Sequence, residues 1–294
     1  MNIANSSVSL SNRTRVSPSA KMSKSYRHVR MSNLFVLAGL LVLLSAPSFF
    51  FNATAMFGGS QIGVQYAGYD VCVQGTCSVF TFPFPEDTLV KGSFVVPKIM
   101  SCPSSGLQYL NYVVEVDLRD GAGVQFGCDQ FPFFFAFVKE AGTFMGLGGS
   151  FPVNPGDHMS VKITHPYSTN TEQFSMVLTD ATRAWTFKSG VITDNSAPSS
   201  DAEFYAYRDC FTSSCPIPNF TPLKTSGEYV TVLSGSHSAK GSIGHWLAST
   251  SSQNLYATVY KITMTDQDTG NTLAAPSAIS TVSTGFTITW KSST

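Results

Sequence analysis

The stretch Tyr112-Val-Val-Glu-Val-Asp-Leu-Arg-Asp-Gly-Ala-Gly-Val-Gln-Phe-Gly-Cys-Asp-Gln-Phe131 decides how the chain is read. From Tyr112 to Leu118 apolar and polar residues alternate. Tyr112, Val114, Val116 and Leu118 point one way, and Val113, Glu115 and Asp117 the other. Arg119-Asp120-Gly121 is the expected turn, with Gly121 free to take a positive φ. On the return strand Val124, Phe126 and Cys128 share one face, while Gln125, Gly127 and Asp129 share the other. A glycine beside a glutamine on the polar face leaves space above the sheet, where a ligand or another backbone comes close. The plain alternative is a solvated sheet face.

Outward from this hairpin the same grammar holds. After residue 56 no amphipathic helical pattern lasts, and Gly, Pro and Ser/Thr clusters punctuate short β-rich runs. The runs include Gly63–Val73, Ser78–Phe84, Val90–Pro97, Phe133–Lys139, Met159–His165, Gln173–Thr179, Glu203–Tyr207, Tyr229–Leu233, Leu255–Met264 and Gly285–Trp290. With no crossover helices to connect parallel neighbours, pairing is expected to be antiparallel. The fold class is therefore all-β, a large antiparallel β-sandwich of two packed sheets, concanavalin- or jelly-roll-like, over residues 58–294.

The start of the chain reads differently. Residues 1–30 form a basic, Ser-rich extension without an acidic residue, and an apolar run begins at Leu34 and continues past Pro47 to Phe51. Ala53-Thr-Ala55 is a small-residue site, so residues 31–55 read as a signal peptide or a membrane anchor. Either places the body of the protein outside the cytoplasm, secreted or anchored to the outer face of a membrane. Charged residues make up 12% of the chain and the formal net charge is +0, which removes any electrostatic case for nucleic acid.

Six cysteines stand at Cys72, Cys77, Cys102, Cys128, Cys210 and Cys215. Two close pairs, Cys72/Cys77 and Cys210/Cys215, suit closure across a turn, which leaves Cys102 for Cys128. This is one of several pairings that the spacing permits. No zinc-type spacing is present, so no metal and no cofactor is expected.

A second stretch, Asp201-Ala-Glu-Phe-Tyr-Ala-Tyr-Arg-Asp209, places Glu203, Tyr205 and Tyr207 on one strand face. A Glu buried among tyrosines has a raised pKa and suits acid–base work in acidic medium. The plain alternative is an exposed edge-strand Glu.

Val124-Gln-Phe-Gly-Cys-Asp129 and Ala202-Glu-Phe204 resemble the Gln and Glu motifs of the eqolisins, the glutamic peptidases of peptidase family G1. Tyr66-Ala-Gly68, Val90-Lys-Gly-Ser-Phe-Val-Val-Pro97, Val153-Asn-Pro-Gly-Asp157, Pro218-Asn-Phe220 and Gly285-Phe-Thr-Ile-Thr-Trp290 resemble further landmarks of that family, in order. The resemblance implies a sandwich with its cleft on one sheet. It also implies Gln125 and Glu203 as the catalytic pair, Glu203 activating water and Gln125 stabilising the oxyanion. Asp117, Gly127, Asp129, Glu140 and Tyr205 are implied as substrate-binding residues, with Lys139 or Glu140 at a family Glu position. The family's Trp-x-Gly-x-Asp run appears here as Val113-Val-Glu-Val-Asp117, so Glu115 stands where the family has glycine.

The expectation is an acid-acting, monomeric endopeptidase with polypeptide substrates. The alternatives are a glycan- or peptide-binding sandwich without chemistry, for which Gln125 and Glu203 would lie apart, and a structural cell-surface protein. No Gly-x-Ser-x-Gly or His-Glu-x-x-His motif supports a serine or zinc hydrolase.

Overall fold

The computed structural model describes residues 60–63, 65–73, 86–102, 106–165, 172–194, 201–208, 216–234, 236–250, 253 and 255–293. The expected extension at 1–30, the apolar segment at 31–55 and the run Ser78–Phe84 lie outside the described residues.

Alternating apolar residues build two sheets. The first contains β1 (Ser60–Gly63), β2 (Tyr66–Val73), β5 (Gln108–Val116), β6 (Asp120–Asp129), β7 (Phe131–Glu140), β8 (Thr143–Gly146), β13 (Asp201–Tyr207) and β17 (Ala257–Thr265). Their spatial order is β1-β17-β2-β13-β5-β6-β7-β8. All these pairs are antiparallel except β1 with β17. The second sheet contains β3 (Glu86–Val95), β9 (His158–Thr164), β10 (Glu172–Asp180), β11 (Trp185–Lys188), β12 (Ile192–Asp194), β15 (Leu223–Ser234) and β16 (His237–Ser242). It runs β16-β15-β3-β9-β10, with β11 and β12 both on β10. Strands β18 (Thr272–Pro276) and β19 (Thr287–Trp290) tie β17 of the first sheet to β15 of the second. A small pair, β4 (Ile99–Ser101) with β14 (Asn219–Phe220), stands apart. A short helix, α1 (Ile243–Leu247), follows β16, with Ser242 as its N-cap.

The core lies between the sheets. From the first come Tyr112, Val114 and Val116 of β5, Ala122, Val124 and Phe126 of β6, and Ala202, Phe204 and Ala206 of β13, all buried. Phe94 of β3 meets Tyr112 at a ring-centroid distance of 4.6 Å. Gly92 of β3 lies against the Val114 and Phe204 side chains, so the sheets approach closely there. The antiparallel sandwich expected from the alternation is the observed fold.

The hairpin turn falls elsewhere than the sequence suggests. Val116 pairs with Asp120, so the turn is Asp117–Arg119 and Gly121 lies inside β6. Asp117 and Leu118 take φ values of 56° and 54°. Leu118 is half exposed rather than part of the inward row.

Cys102 and Cys128 form a disulfide that ties the segment before β5 to β6. Cys72 is also disulfide-bonded. The expected Cys72–Cys77 and Cys210–Cys215 pairs lie outside the described residues at Cys77, Cys210 and Cys215.

Candidate active site

The same strands that bury one face in the core present a second set of residues on the outer face of the first sheet. Period-two alternation puts Val113 and Glu115 of β5, Glu203, Tyr205 and Tyr207 of β13, and Phe135, Phe137 and Lys139 of β7 there. Val113, Phe137, Tyr205 and Tyr207 form a small apolar cluster of their own, separate from the main core, with Tyr66 packed against it. Tyr66 meets Tyr205 edge-on at 4.9 Å.

Register orders this face into rows across the strands. One row runs Tyr260–Asp70–Glu203–Glu115–Gly121–Lys139. The next runs Gly68–Tyr205–Val113–Gly123–Phe137, and the one beyond Tyr66–Tyr207–Asn111–Gln125–Phe135.

The first row holds the chemistry. Glu203 and Glu115 are 1% and 0% exposed and sit directly opposite each other. The Tyr205 hydroxyl donates to Glu115 Oε1. Lys139 Nζ lies 3.1 Å from Glu115 Oε2 and 2.6 Å from the Leu118 carbonyl. The Leu118 N–H donates to Glu203 Oε1 at 2.9 Å. Glu203 Oε2 is buried and makes no hydrogen bond to the described residues.

Burial, then the negative charges of Asp201, Glu115, Asp70 and Asp117, push the Glu203 carboxyl well above its usual range. Burial, reinforced by Asp201, raises Asp117 to about 7. Asp120 also rises to about 7 through burial, opposed by the Ala141 N–H, 2.6 Å from Oδ1. Arg119, whose charge opposes the rise of Asp117 and Asp120, pairs with Asp194 at 3.0 Å. A buried carboxyl held towards its neutral form, opposite a second buried carboxyl group and walled by aromatic rings, is equipped to give and take protons.

A family model described as the Peptidase A4 family matches residues 78–284, more than half of the chain. The chain belongs to the Peptidase A4 family. Its membership makes it a peptidase, with polypeptides as substrates. Two crystal structures of scytalido-glutamic peptidase, each with a transition-state analogue, share 15% and 14% identity at TM-scores of 0.51 and 0.50. Each comparison covers 78% of this chain and 98% of the other. SCP-B, a member of the eqolisin family solved in a complex with the tripeptide Ala-Ile-His, matches with 14% identity, a TM-score of 0.50 and the same coverage. At such identity these likenesses bear on the fold, which they share. No curated protein shows significant sequence similarity to the chain.

Within this Peptidase A4 chain the residues singled out from sequence are not all brought together. Glu203 and Tyr205 lie in the polar centre, with Asp117 in the turn beside them. Gln125 is on the same face but two rows and two strands from Glu203, about 13 Å along the strands and about 10 Å across them. Its amide donates instead to Asn111 Oδ1 at 2.6 Å. The resemblance pairs Gln125 with Glu203, but in this geometry the two lie apart, the placement set out above for the binding sandwich, so the peptidase rests on family membership and on the Glu203 row. Gly127 lies further along, and its apparent space is taken by the Gln108 carbonyl, the Tyr109 backbone and the Phe133 ring. Asp129 is exposed at the turn into β7, remote from the Glu203 row. Glu140 ends β7 on the face opposite Lys139 and pairs across with Thr143.

Glu115 escaped the sequence reading as a site residue, and Lys139 entered it only as the alternative to Glu140. Their signal was present in the alternation, since Glu115 is the one acidic residue on the outer face of β5. Only the strand register places it against Glu203.

Proposed function

We propose that this chain is an acid-acting endopeptidase that hydrolyses polypeptides on the outer face of the first sheet, with Glu203 as its acid–base group. The observation that carries the reading is the state of Glu203. It is a buried carboxyl with one oxygen held by the Leu118 N–H and the other without a hydrogen-bond partner among the described residues, in a zone that favours its neutral form. A carboxylic acid kept protonated protonates a scissile carbonyl or a departing amine, and its conjugate base takes a proton from water. Gln125 and Asn111 present amide groups further along the same face, where a bound peptide's backbone needs donors and acceptors. The rings of Phe133, Phe135, Phe137 and Phe144 continue that face; Phe137 stacks on Phe144 at 4.5 Å, and they suit apolar substrate side chains. The basic and apolar N-terminal sequence and the Cys102–Cys128 disulfide support a working location outside the cytoplasm.

The test is cleavage of a quenched peptide from pH 2 to 7 by the wild type and Glu203→Gln. The expected result is wild-type cleavage in acid, insensitive to chelators and to serine and cysteine reagents, and near-complete loss in the folded variant. A folded variant that cuts at the wild-type rate rejects Glu203 as the acid–base group. A wild type that binds peptide and never cuts it makes the protein a binding module.

A further inference from the structure

The polar row contains one residue that the family pattern does not supply. We propose that Glu115 is the second reacting carboxyl of the site, working with Glu203 as an acid–base pair, and that Lys139 and Tyr205 are its positioning residues. The inference rests on the peptidase reading above and assigns its second group.

Glu203 and Glu115 are directly opposed across β13 and β5, a relation that brings Cβ atoms to about 4.5–5.5 Å. Two ionised carboxylates so placed and so buried repel strongly, and protonating one of them removes the repulsion. The surroundings decide which keeps the charge. Lys139 from β7 and the Tyr205 hydroxyl from β13 both donate to Glu115. Glu203 faces Asp70 from β2, Asp201 on its own strand and Asp117 in the turn, with Tyr260 beyond Asp70; none of these is a cation. The donors therefore gather on Glu115, and Glu203, held towards its neutral form, is the member that keeps the proton. Gly121, opposite Glu115 on β6, is what makes room, because a side-chain carbon there would collide with the Glu115 Cβ.

The pair completes hydrolysis with nothing added but water. The water oxygen bonds to the scissile carbonyl carbon while its proton passes to the Glu115 carboxylate. Glu203 gives its proton to the carbonyl oxygen, forming a neutral diol. On collapse the C–N bond breaks, Glu115 protonates the amine nitrogen, and a diol hydroxyl returns a proton to Glu203. One water is consumed and both carboxyls return to their starting forms.

The experiment measures kcat and KM against pH on a quenched peptide for the wild type, Glu115→Gln, Lys139→Met and Gln125→Ala, with folding checked by circular dichroism. Glu115→Gln is expected to lose about 10²–10⁴ in kcat, the usual share of a proton-transfer group. Gln125→Ala is expected to lose less, and mainly in KM. Lys139→Met is expected to move the acid limb of the kcat profile upward, because the ionised partner has lost its cation. A wild type that cuts, together with a folded Glu115→Gln that cuts equally well, overturns the pair while leaving the peptidase. A wild type that cuts nothing overturns the function itself, and the pair with it. Should Glu115→Gln fail to fold, Lys139→Met decides, and an unmoved profile rejects the pair.

Discussion

Glu203 and Phe204 are neighbours in sequence and belong to two different environments. Phe204 enters the core between the sheets, fully buried against Val114 and Gly92. Glu203, turned the other way, is equally buried and lies among Asp70, Glu115, Asp117 and Asp201. The two faces of β13 thus bury side chains to the same degree for opposite energetic reasons. The core face gains from removing apolar surface from water. The outer face places ionisable groups where their charged forms are costly. Burial is therefore no guide to purpose in this protein; what is buried, and against what, separates the structural face from the chemical one.

The contrast is broken most sharply by substituting the two neighbours. Glu203→Gln should remove about 10²–10⁴ of turnover at pH 4. Its thermal midpoint in the same buffer should stay near that of the wild type, because the protonated acid and the amide are nearly isosteric. Phe204→Ala should do the reverse in kind, costing about 3–5 kcal/mol of stability in urea titration. A Phe204→Ala protein as stable as the wild type would mean that the core does not close over this position.

The next effect sharpens the outer face through pH. Asp117 and Asp120 stand at about 7 and Glu228, buried near the core, at about 8. Their ordinary values are 3.8 and 4.5. Between these limits the unfolded chain releases protons that the folded chain retains. Stability is thus fully present below about pH 4 and falls as pH rises through about 7 to 8. Urea midpoints measured from pH 3 to 8 should decline steadily, and Glu203→Gln should decline less, since one raised carboxyl is gone. A flat profile, or a rising one, contradicts the acidic zone as described.

The smallest effect concerns the turn that lies over Glu203. Leu118 holds a left-handed φ of 54° with its side chain half exposed. Leu118→Gly should relieve that strain and gain about 0.5–1 kcal/mol after the entropy cost of glycine. Loss of stability instead would show that the Leu118 side chain packs on the outer face.

The turn also explains how much of the site was legible. Alternation assigned Gln125, Glu203 and Tyr205 to polar faces without error, because a period of two survives any even shift. It did not locate them along the strands. A turn centred on Asp120, as Arg119-Asp120-Gly121 suggests, sets Gln125 opposite Glu115 and so in the row of Glu203. The observed centre at Leu118 sets Gln125 opposite Asn111. That displacement of two rows separates the residues that motif resemblance pairs, and it brings Glu115 forward in their place.

By itself the sequence determined the class of the fold, the faces of its strands, the family and the acidic residues on β13. These are local or periodic properties, written in residues a few positions apart. Only the tertiary structure decided the register, and with it which groups meet. Asp117 and Leu118 accept unfavourable φ values because distant partners reward them. The Asp117 N–H reaches the Asp201 carbonyl, the Leu118 N–H reaches Glu203, and Lys139 takes the Leu118 carbonyl. Those partners lie on β13 and β7, and no turn propensity read along β5 and β6 contains them.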